Sequence, residues 1–114
     1  MTQPRRSSDG SVRVALVTGA NRGIGFEVCR QLATRGFAVL LTARDAEKAQ
    51  SAANRLASVG QVEPLALDVA DASSIKNAQN EVATKYGYLD VLVNNAGINY
   101  DTWETAEDAD ITAR

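Results

Sequence analysis

Three glycines in the spacing GxxxGxG, at Gly19, Gly23 and Gly25, constrain the fold of this chain more than any other feature. An apolar run at residues 12–17 precedes them, and a helical pattern begins at Ile24. Glycine permits a sharp turn off a strand, a close approach to a pyrophosphate, and tight packing of helix on strand. The start of a helix also presents unpaired N–H groups and the positive end of its dipole to an anion. A glycine trio alone is a weak signal, but this placement between strand and helix predicts a dinucleotide-binding turn.

Strand and helix patterns continue to alternate after the turn. Further apolar strands are predicted at residues 37–41, 62–67 and 89–93, with helical spacing between them. Such alternation is typical of parallel βαβ units with right-handed crossovers, and the usual strand order for this plan is 3-2-1-4. Pro64 lacks an N–H donor and therefore favours an edge strand, which is where that order places it. The sequence predicts an α/β fold, a Rossmann-type parallel sheet with flanking helices, incomplete at its C-terminal side.

Two predicted helices have clear boundary signals. The first has Ile24, Val28 and Leu32 on one face, with Gly25, Cys29 and Ala33 beside them. The second begins after Asp45, a good N-cap residue, and Gly60 is its predicted C-terminal stop.

The length of 114 residues leaves room for one domain, and a hydrophobic content of 45% predicts a packed core. We expect a flexible N-terminal tail at residues 1–11 and the N-terminal part of a dinucleotide-binding Rossmann domain at residues 12–98. Residues 99–114 are acidic and weakly apolar, and we interpret them as the start of a truncated connecting segment.

Composition disfavours several classes of function. A net charge of −2 argues against nucleic-acid binding, and the absence of histidine removes His-based triads and His metal ligands, so no metal site is predicted. Cys29 is the only cysteine, which favours a reducing compartment, and we expect a cytoplasmic protein. The longest apolar run, residues 37–41, is far shorter than the roughly 20 residues of a membrane span, so no membrane partner is expected.

Two motifs together resemble the short-chain dehydrogenase/reductase family. They are residues 18–25, Thr-Gly-Ala-Asn-Arg-Gly-Ile-Gly, and residues 94–97, Asn-Asn-Ala-Gly. Residues 89–97 and 42–45 are most similar to its carbonyl-reductase-like members. The resemblance covers residues 12–98, most of the chain, and implies an NADP(H)-dependent oxidoreductase acting on carbonyl or alcohol groups.

The resemblance also implies roles for residues beyond the glycine turn. Asp68 and Val69 would flank the adenine ring, with the carboxylate accepting from the exocyclic amine. Asn95 would contact the cofactor on its nicotinamide side, although asparagines at such positions also serve as plain turn residues. The predicted cofactor-binding residues are Gly19, Asn21, Arg22, Gly23, Ile24, Gly25, Arg44, Asp68, Val69, Asn95, Ala96 and Gly97.

The choice between NAD(H) and NADP(H) depends on the end of the second strand. An acid about 20 residues past the glycines usually binds the ribose hydroxyl of NAD, and Asp45 stands at that distance. Asp45, however, is where a helix cap belongs, and Arg44 is the first side chain able to reach the ribose. Arg22 and Arg44 can converge on a 2′-phosphate, which suits guanidinium groups. We therefore expect the cofactor to be NADP(H), with NAD(H) less favoured. The alternative role for both arginines is that of ordinary exposed surface charge.

The catalytic pair that the resemblance implies, Tyr-x-x-x-Lys, is absent from this sequence. The residues four positions after Tyr86, Tyr88 and Tyr100 are Asp90, Leu92 and Glu104. No catalytic residue is therefore predicted, and we expect the 114-residue chain alone to be inactive.

Two hypotheses of different class follow. In the first, the chain is the N-terminal part of an NADP(H)-dependent oxidoreductase, shortened as a fragment or by a frameshift. A small-molecule carbonyl or alcohol substrate would then bind only the full-length form, which is a possible homo-oligomer. In the second, it is a non-catalytic module that binds or senses NADP(H). A Tyr-x-x-x-Lys encoded downstream of Arg114 would favour the first.

Overall fold

A computed structural model describes residues 12–95, so the predicted segments at residues 1–11 and 99–114 lie outside the described part. Strands and helices alternate throughout that part, as the sequence predicts. In chain order they are β1 (Val14–Val17), α1 (Gly23–Thr34), β2 (Ala38–Ala43), α2 (Ala46–Arg55), β3 (Val62–Ala66), α3 (Ala72–Lys85) and β4 (Val91–Val93).

The four strands form one parallel sheet in the order β3-β2-β1-β4, which confirms the predicted order. β1 lies between β2 and β4, and every residue of β1 and β2 is buried. β3 is an edge strand, and its Pro64 is opposite Leu41. The missing N–H of proline is tolerated there because no further strand pairs with β3 in the described sheet.

Helices pack on both faces of the sheet. On one face, α1 and α2 cover side chains of β1 and β2 around Val17 and Leu41. On the other face, α3 covers Leu16, Leu40 and Leu65. This arrangement follows from right-handed crossovers, because the chain winds from β1 to β3 in one direction and then returns past β1 to reach β4.

The packing face of α1 differs from the predicted one at Ile24. Gly25, Cys29 and Ala33 are its buried residues, whereas Ile24 has 69% of its surface exposed. Val28 and Leu32 of the predicted face are partly buried against the same core, so only Ile24 departs from the prediction. The small residues beside that face let the helix lie close to the strands. Burial raises the pKa of the Cys29 thiol to about 12, so this cysteine stays protonated and inert at neutral pH.

Two element boundaries also differ from the predictions. α2 ends at Arg55 with Leu56 as its C-cap, so Gly60 is not its stop. A Cβ on Gly60 would lie 2.7 Å from the carbonyl oxygen of Ala33, which shows that close packing against α1 requires the glycine. β4 is shorter than expected because residues 89 and 90 precede the ladder. None of the helices within residues 12–95 is both long enough and apolar enough to cross a membrane.

An apolar cleft of about 510 Å³ lies on the α3 face beside β4. Leu92, in the middle of β4, has 59% of its surface exposed and lines this cleft next to Leu16. Four of the five exposed large hydrophobic side chains of the described residues line the same cleft, namely Val69, Ile75, Leu89 and Leu92. In the described sheet β4 pairs only with β1, so it is an edge strand. A cluster of apolar side chains beside such a strand is typical of an interaction surface.

We expect the purified 114-residue chain to self-associate through this cleft, and Leu92→Glu to shift it toward monomer by placing a charge on the apolar surface. Light scattering coupled to size-exclusion chromatography measures the mass. Ala57→Glu is the control, because it adds the same charge at an exposed position after α2, on the opposite face. A parent chain that remains monomeric at high concentration would contradict this expectation.

Candidate nucleotide-binding site

The candidate site lies at the carboxyl edge of the sheet. Because β1, β2 and β3 are parallel, their C-terminal ends lie side by side, and each is followed by a predicted binding segment. The glycine turn follows β1, Arg44 follows β2 at once, and Asp68 lies two residues after β3. The edge where parallel strands end is also where open α/β sheets generally bind their ligands.

The glycine turn presents open backbone in front of α1. Gly19 and Gly23 have φ values of 58° and 66°, a conformation that L side chains rarely adopt. A Cβ on Gly23 would meet no heavy atom within 4 Å, so this position faces open space. Arg22 is the N-cap of α1 but makes no side-chain capping hydrogen bond, and the first turn of the helix contains no acid. The N-terminal N–H groups of α1 thus retain their capacity to bind an anion.

The end of β4 holds the back of this turn. The amide Nδ2 of Asn95 donates to the carbonyl oxygen of Gly19 at 3.0 Å, and the hydroxyl of Thr18 donates to Oδ1 of Asn94 at 3.3 Å. A Cβ on Gly25 would lie 2.7 Å from that Gly19 oxygen and 2.8 Å from Asn95 Nδ2. Gly25 is therefore required because α1 contacts both the turn and Asn95 at this position. The prediction was less specific and gave only packing of the helix on the strand.

Thr42 holds the turn from the β2 side, and the sequence analysis missed it. Its carbonyl accepts from the N–H of Ala20 at 2.7 Å, and its buried hydroxyl donates to the carbonyl of Val17 at 2.8 Å. The available signal was a single hydroxyl in the otherwise apolar run of β2. Such a buried polar group needs a partner, and here the partner is the last residue of β1.

A polar cleft of about 530 Å³ opens between the glycine turn and the ends of β2 and β3. The structure brings four of the predicted residues to it, and three further residues complete its lining. The predicted ones are Asn21, Arg22, Arg44 and Asp68; the others are Ala43, Asp45 and Lys48. The cleft thus combines three exposed cations with two carboxylates.

One of the two carboxylates of the cleft, that of Asp45, caps a helix. Asp45 is the N-cap of α2, where its Oδ1 accepts from the N–H of Glu47 at 2.8 Å and from that of Lys48 at 3.4 Å. This confirms the predicted capping role of Asp45. The two ion pairs among residues 12–95, Arg30 with Glu27 and Lys85 with Glu63, do not involve the cations of the cleft.

Lys48 is a cleft residue that the sequence analysis missed. It lies in the first turn of α2, three residues after the N-cap Asp45, and lines the cleft together with Arg44. Helical periodicity around the Asp45 cap was the signal that could have identified it.

The remaining predicted residues lie around the polar cleft or outside the described part. Ile24 is exposed at the start of α1, and Val69 lines the apolar cleft on the α3 face rather than the polar one. Gly19, Gly25 and Asn95 form the back of the turn, as described above. Ala96 and Gly97 lie outside the described residues, so their predicted contacts stay predictions. Between residues 12 and 95, no three Cys, Asp or Glu side chains are grouped so that they could hold a metal ion.

Comparison with known proteins gives one family. The model of the short chain dehydrogenase family matches residues 13–113. Among curated relatives, (+)-neomenthol dehydrogenase of Arabidopsis thaliana is 50% identical over 91 residues, which cover 75% of this chain and 31% of that protein. Carbonyl reductase [NADPH] 1 of Bos taurus is 47% identical over 95 residues, covering 81% of this chain and 34% of the relative. The chain thus spans about a third of the length of these relatives.

A solved structure agrees with the sequence comparison. A metagenomic short-chain oxidoreductase in complex with NADP superposes with a TM-score of 0.68 at 42% identity, covering 73% of this chain and 38% of that one. The parallel sheet and its helices are therefore the arrangement of this family.

The glycine turn allows a matched pair of variants. Gly23 and Gly87 both have positive φ, and a Cβ on either meets nothing within 4 Å. We expect Gly23→Val to abolish NADPH binding, because the side chain would occupy the space in front of the turn. Gly87→Val imposes the same backbone strain far from the turn, so it should bind like the parent. Fluorescence titration with NADPH measures both, and parent-like binding by Gly23→Val would show that the turn is only structural.

Proposed function

The chain belongs to the short-chain dehydrogenase family, and from this premise we propose that it is the NADP(H)-binding part of an oxidoreductase acting on carbonyl or alcohol substrates. The observation that carries the proposal is the open glycine turn in front of the uncapped N-terminus of α1. N–H groups and a helix dipole there fit a pyrophosphate, while a Cβ at Gly23 would fill the same space.

The cations beside the turn support NADP(H) rather than NAD(H). Arg22 and Arg44 line one cleft, next to the turn that would hold the pyrophosphate. A guanidinium group binds a phosphate through two parallel hydrogen bonds, so two of them at this end of the cleft suit the 2′-phosphate. Asp45, the acid expected at this distance in an NAD site, has Oδ1 engaged by the backbone of α2.

The names of two relatives support the same choice. Carbonyl reductase [NADPH] 1 carries the cofactor in its name, and the metagenomic oxidoreductase is a complex with NADP. Carbonyl reductase and neomenthol dehydrogenase, as names, indicate interconversion of carbonyl and alcohol groups. We carry these properties to this chain as part of the proposal.

The described residues bind and orient rather than transfer protons. When bound, NADP(H) supplies or accepts a hydride at its nicotinamide ring. The turn would fix the pyrophosphate, the arginines the 2′-phosphate and Asp68 the adenine amine, and Asn95 keeps the turn in place through its bond to Gly19. A proton donor for the substrate oxygen is a separate requirement, and no tyrosine of these 114 residues has a lysine four positions later.

The absence of this pair from the sequence favours one second candidate, a module that binds or senses NADP(H) without turnover. Both candidates use the same cleft and the same cofactor. They differ in whether the bound cofactor serves a reaction, as part of an oxidoreductase, or only binding or sensing.

Arg44→Asp tests the cofactor preference. The parent chain should bind NADPH more tightly than NADH, and the variant should lose or reverse this preference because a carboxylate repels phosphate and suits a ribose hydroxyl. Loss of one charge-assisted hydrogen bond, about 1.5–3 kcal/mol, weakens NADPH binding roughly ten- to hundredfold. Arg35→Asp, the same charge change at the other end of α1, should keep the preference. Equal affinities in the parent would refute the assignment of the two arginines.

Turnover distinguishes the 114-residue chain from a complete oxidoreductase. We expect NADPH consumption with simple aldehydes and ketones to match the protein-free control, because a bound cofactor without a positioned acid lacks the proton source. Absorbance of NADPH follows the reaction, and the Gly23→Val variant serves as the control for contaminating reductases. Activity that survives repurification and disappears in that variant would show that the chain catalyses the reaction alone.

A further inference from the structure

A hydrogen bond to the hydroxyl of Ser74, a residue that is not part of the predicted site, spans the segment between β3 and α3. Oγ of Ser74, in the first turn of α3, accepts a hydrogen bond from the backbone N–H of Asp68 at 2.8 Å. Asp68 lines the polar cleft, and Ser74 is half-buried behind it. The bond therefore connects the first turn of a helix to the backbone of a cleft residue.

The carboxylate of Asp68 is already half engaged by its own loop. Its Oδ1 accepts from the N–H of Ala70 at 3.0 Å, and its carbonyl oxygen accepts from the N–H of Asp71 at 3.0 Å. With Ser74 holding its N–H as well, the backbone of Asp68 is fixed on both sides. Within residues 12–95, Oδ2 makes no hydrogen bond, so one carboxylate oxygen retains its capacity to accept from a ligand.

We propose that Ser74 is a positioning residue for base selectivity: it holds Asp68 so that the carboxylate recognises the exocyclic amine of adenine. This inference rests on the proposed function, because it needs a dinucleotide in the polar cleft. Adenine donates a hydrogen bond at that position, whereas hypoxanthine presents a carbonyl oxygen, which a carboxylate repels. Preference for adenine over hypoxanthine therefore measures how well Asp68 is placed.

A purely structural role for Ser74 in capping α3 is separable from this one. Asp71 is the N-cap of α3, and its Oδ1 accepts from the N–H groups of Ser73 at 2.9 Å and Ser74 at 3.4 Å. Those bonds use the backbone of Ser74 and survive removal of its hydroxyl. Ser73 has the same bond to the cap and an exposed side chain, so Ser73→Ala is the matched control.

The experiment compares binding of NADPH with binding of its hypoxanthine analogue by the full 114-residue chain. A structural defect would reduce the amount of folded protein and weaken the apparent binding of both dinucleotides by the same factor. The ratio of the two affinities is therefore unaffected by such a defect. The parent should prefer NADPH roughly ten- to hundredfold, as expected for one hydrogen bond to a charged group. Ser74→Ala should lose most of this preference, approaching the ratio of Asp68→Ala, while Ser73→Ala and Ser74→Thr should keep the parent ratio.

Each other outcome is decisive. A parent ratio in Ser74→Ala, together with a lost ratio in Asp68→Ala, overturns the role of Ser74 and leaves the proposed function intact. A parent ratio in Asp68→Ala overturns recognition of the amine by this carboxylate. Failure of the parent to bind either dinucleotide overturns the proposed function and this inference with it. If Ser74→Ala loses the helical circular dichroism of the parent, Ser74→Thr is compared with the isosteric Ser74→Val, and equal ratios in that pair overturn the proposal.

Discussion

Parallel pairing of β1 with both of its neighbours is the constraint on which the rest of the structure depends. β1 has only four residues, yet it pairs with β2 on one side and β4 on the other, and all of its side chains are buried. Parallel pairing brings the carboxyl ends of the strands to one edge, where Thr42 holds the glycine turn from β2 and Asn95 from beyond β4. The turn is thus fixed by hydrogen bonds from both sides before any ligand is present.

The polar groups at this edge divide into those that hold the fold and those that remain for a ligand. Asp45 has the distance from the glycines expected of a ribose ligand, but it caps α2. Arg22 stands at the N-cap position of α1 without capping it, so its guanidinium group is not used by the helix. Asp68 shares its carboxylate, with one oxygen engaged by the loop.

The two faces of the sheet differ in how completely they are covered. α1 and α2 bury the face that contains Val17 and Leu41, while α3 leaves an apolar cleft beside Leu92 on the other. The chain corresponds to about a third of the length of its relatives. In the proposed function, nucleotide binding depends on the carboxyl edge, which these residues build.

The sequence by itself determined the element order, the parallel sheet with Pro64 at its edge, the glycine turn and the capping role of Asp45. These features depend on local chemistry, since periodicity, backbone freedom and cap propensity act over a few residues. The tertiary structure settled the exposure of Ile24, because small residues such as Gly25 and Ala33 permit the closest packing and bring the centre of the α1 face to their side. It also decided that Lys48 lines the cleft and that Ser74 holds Asp68. The cleft joins the ends of different strands, so its lining exists only once the sheet has assembled.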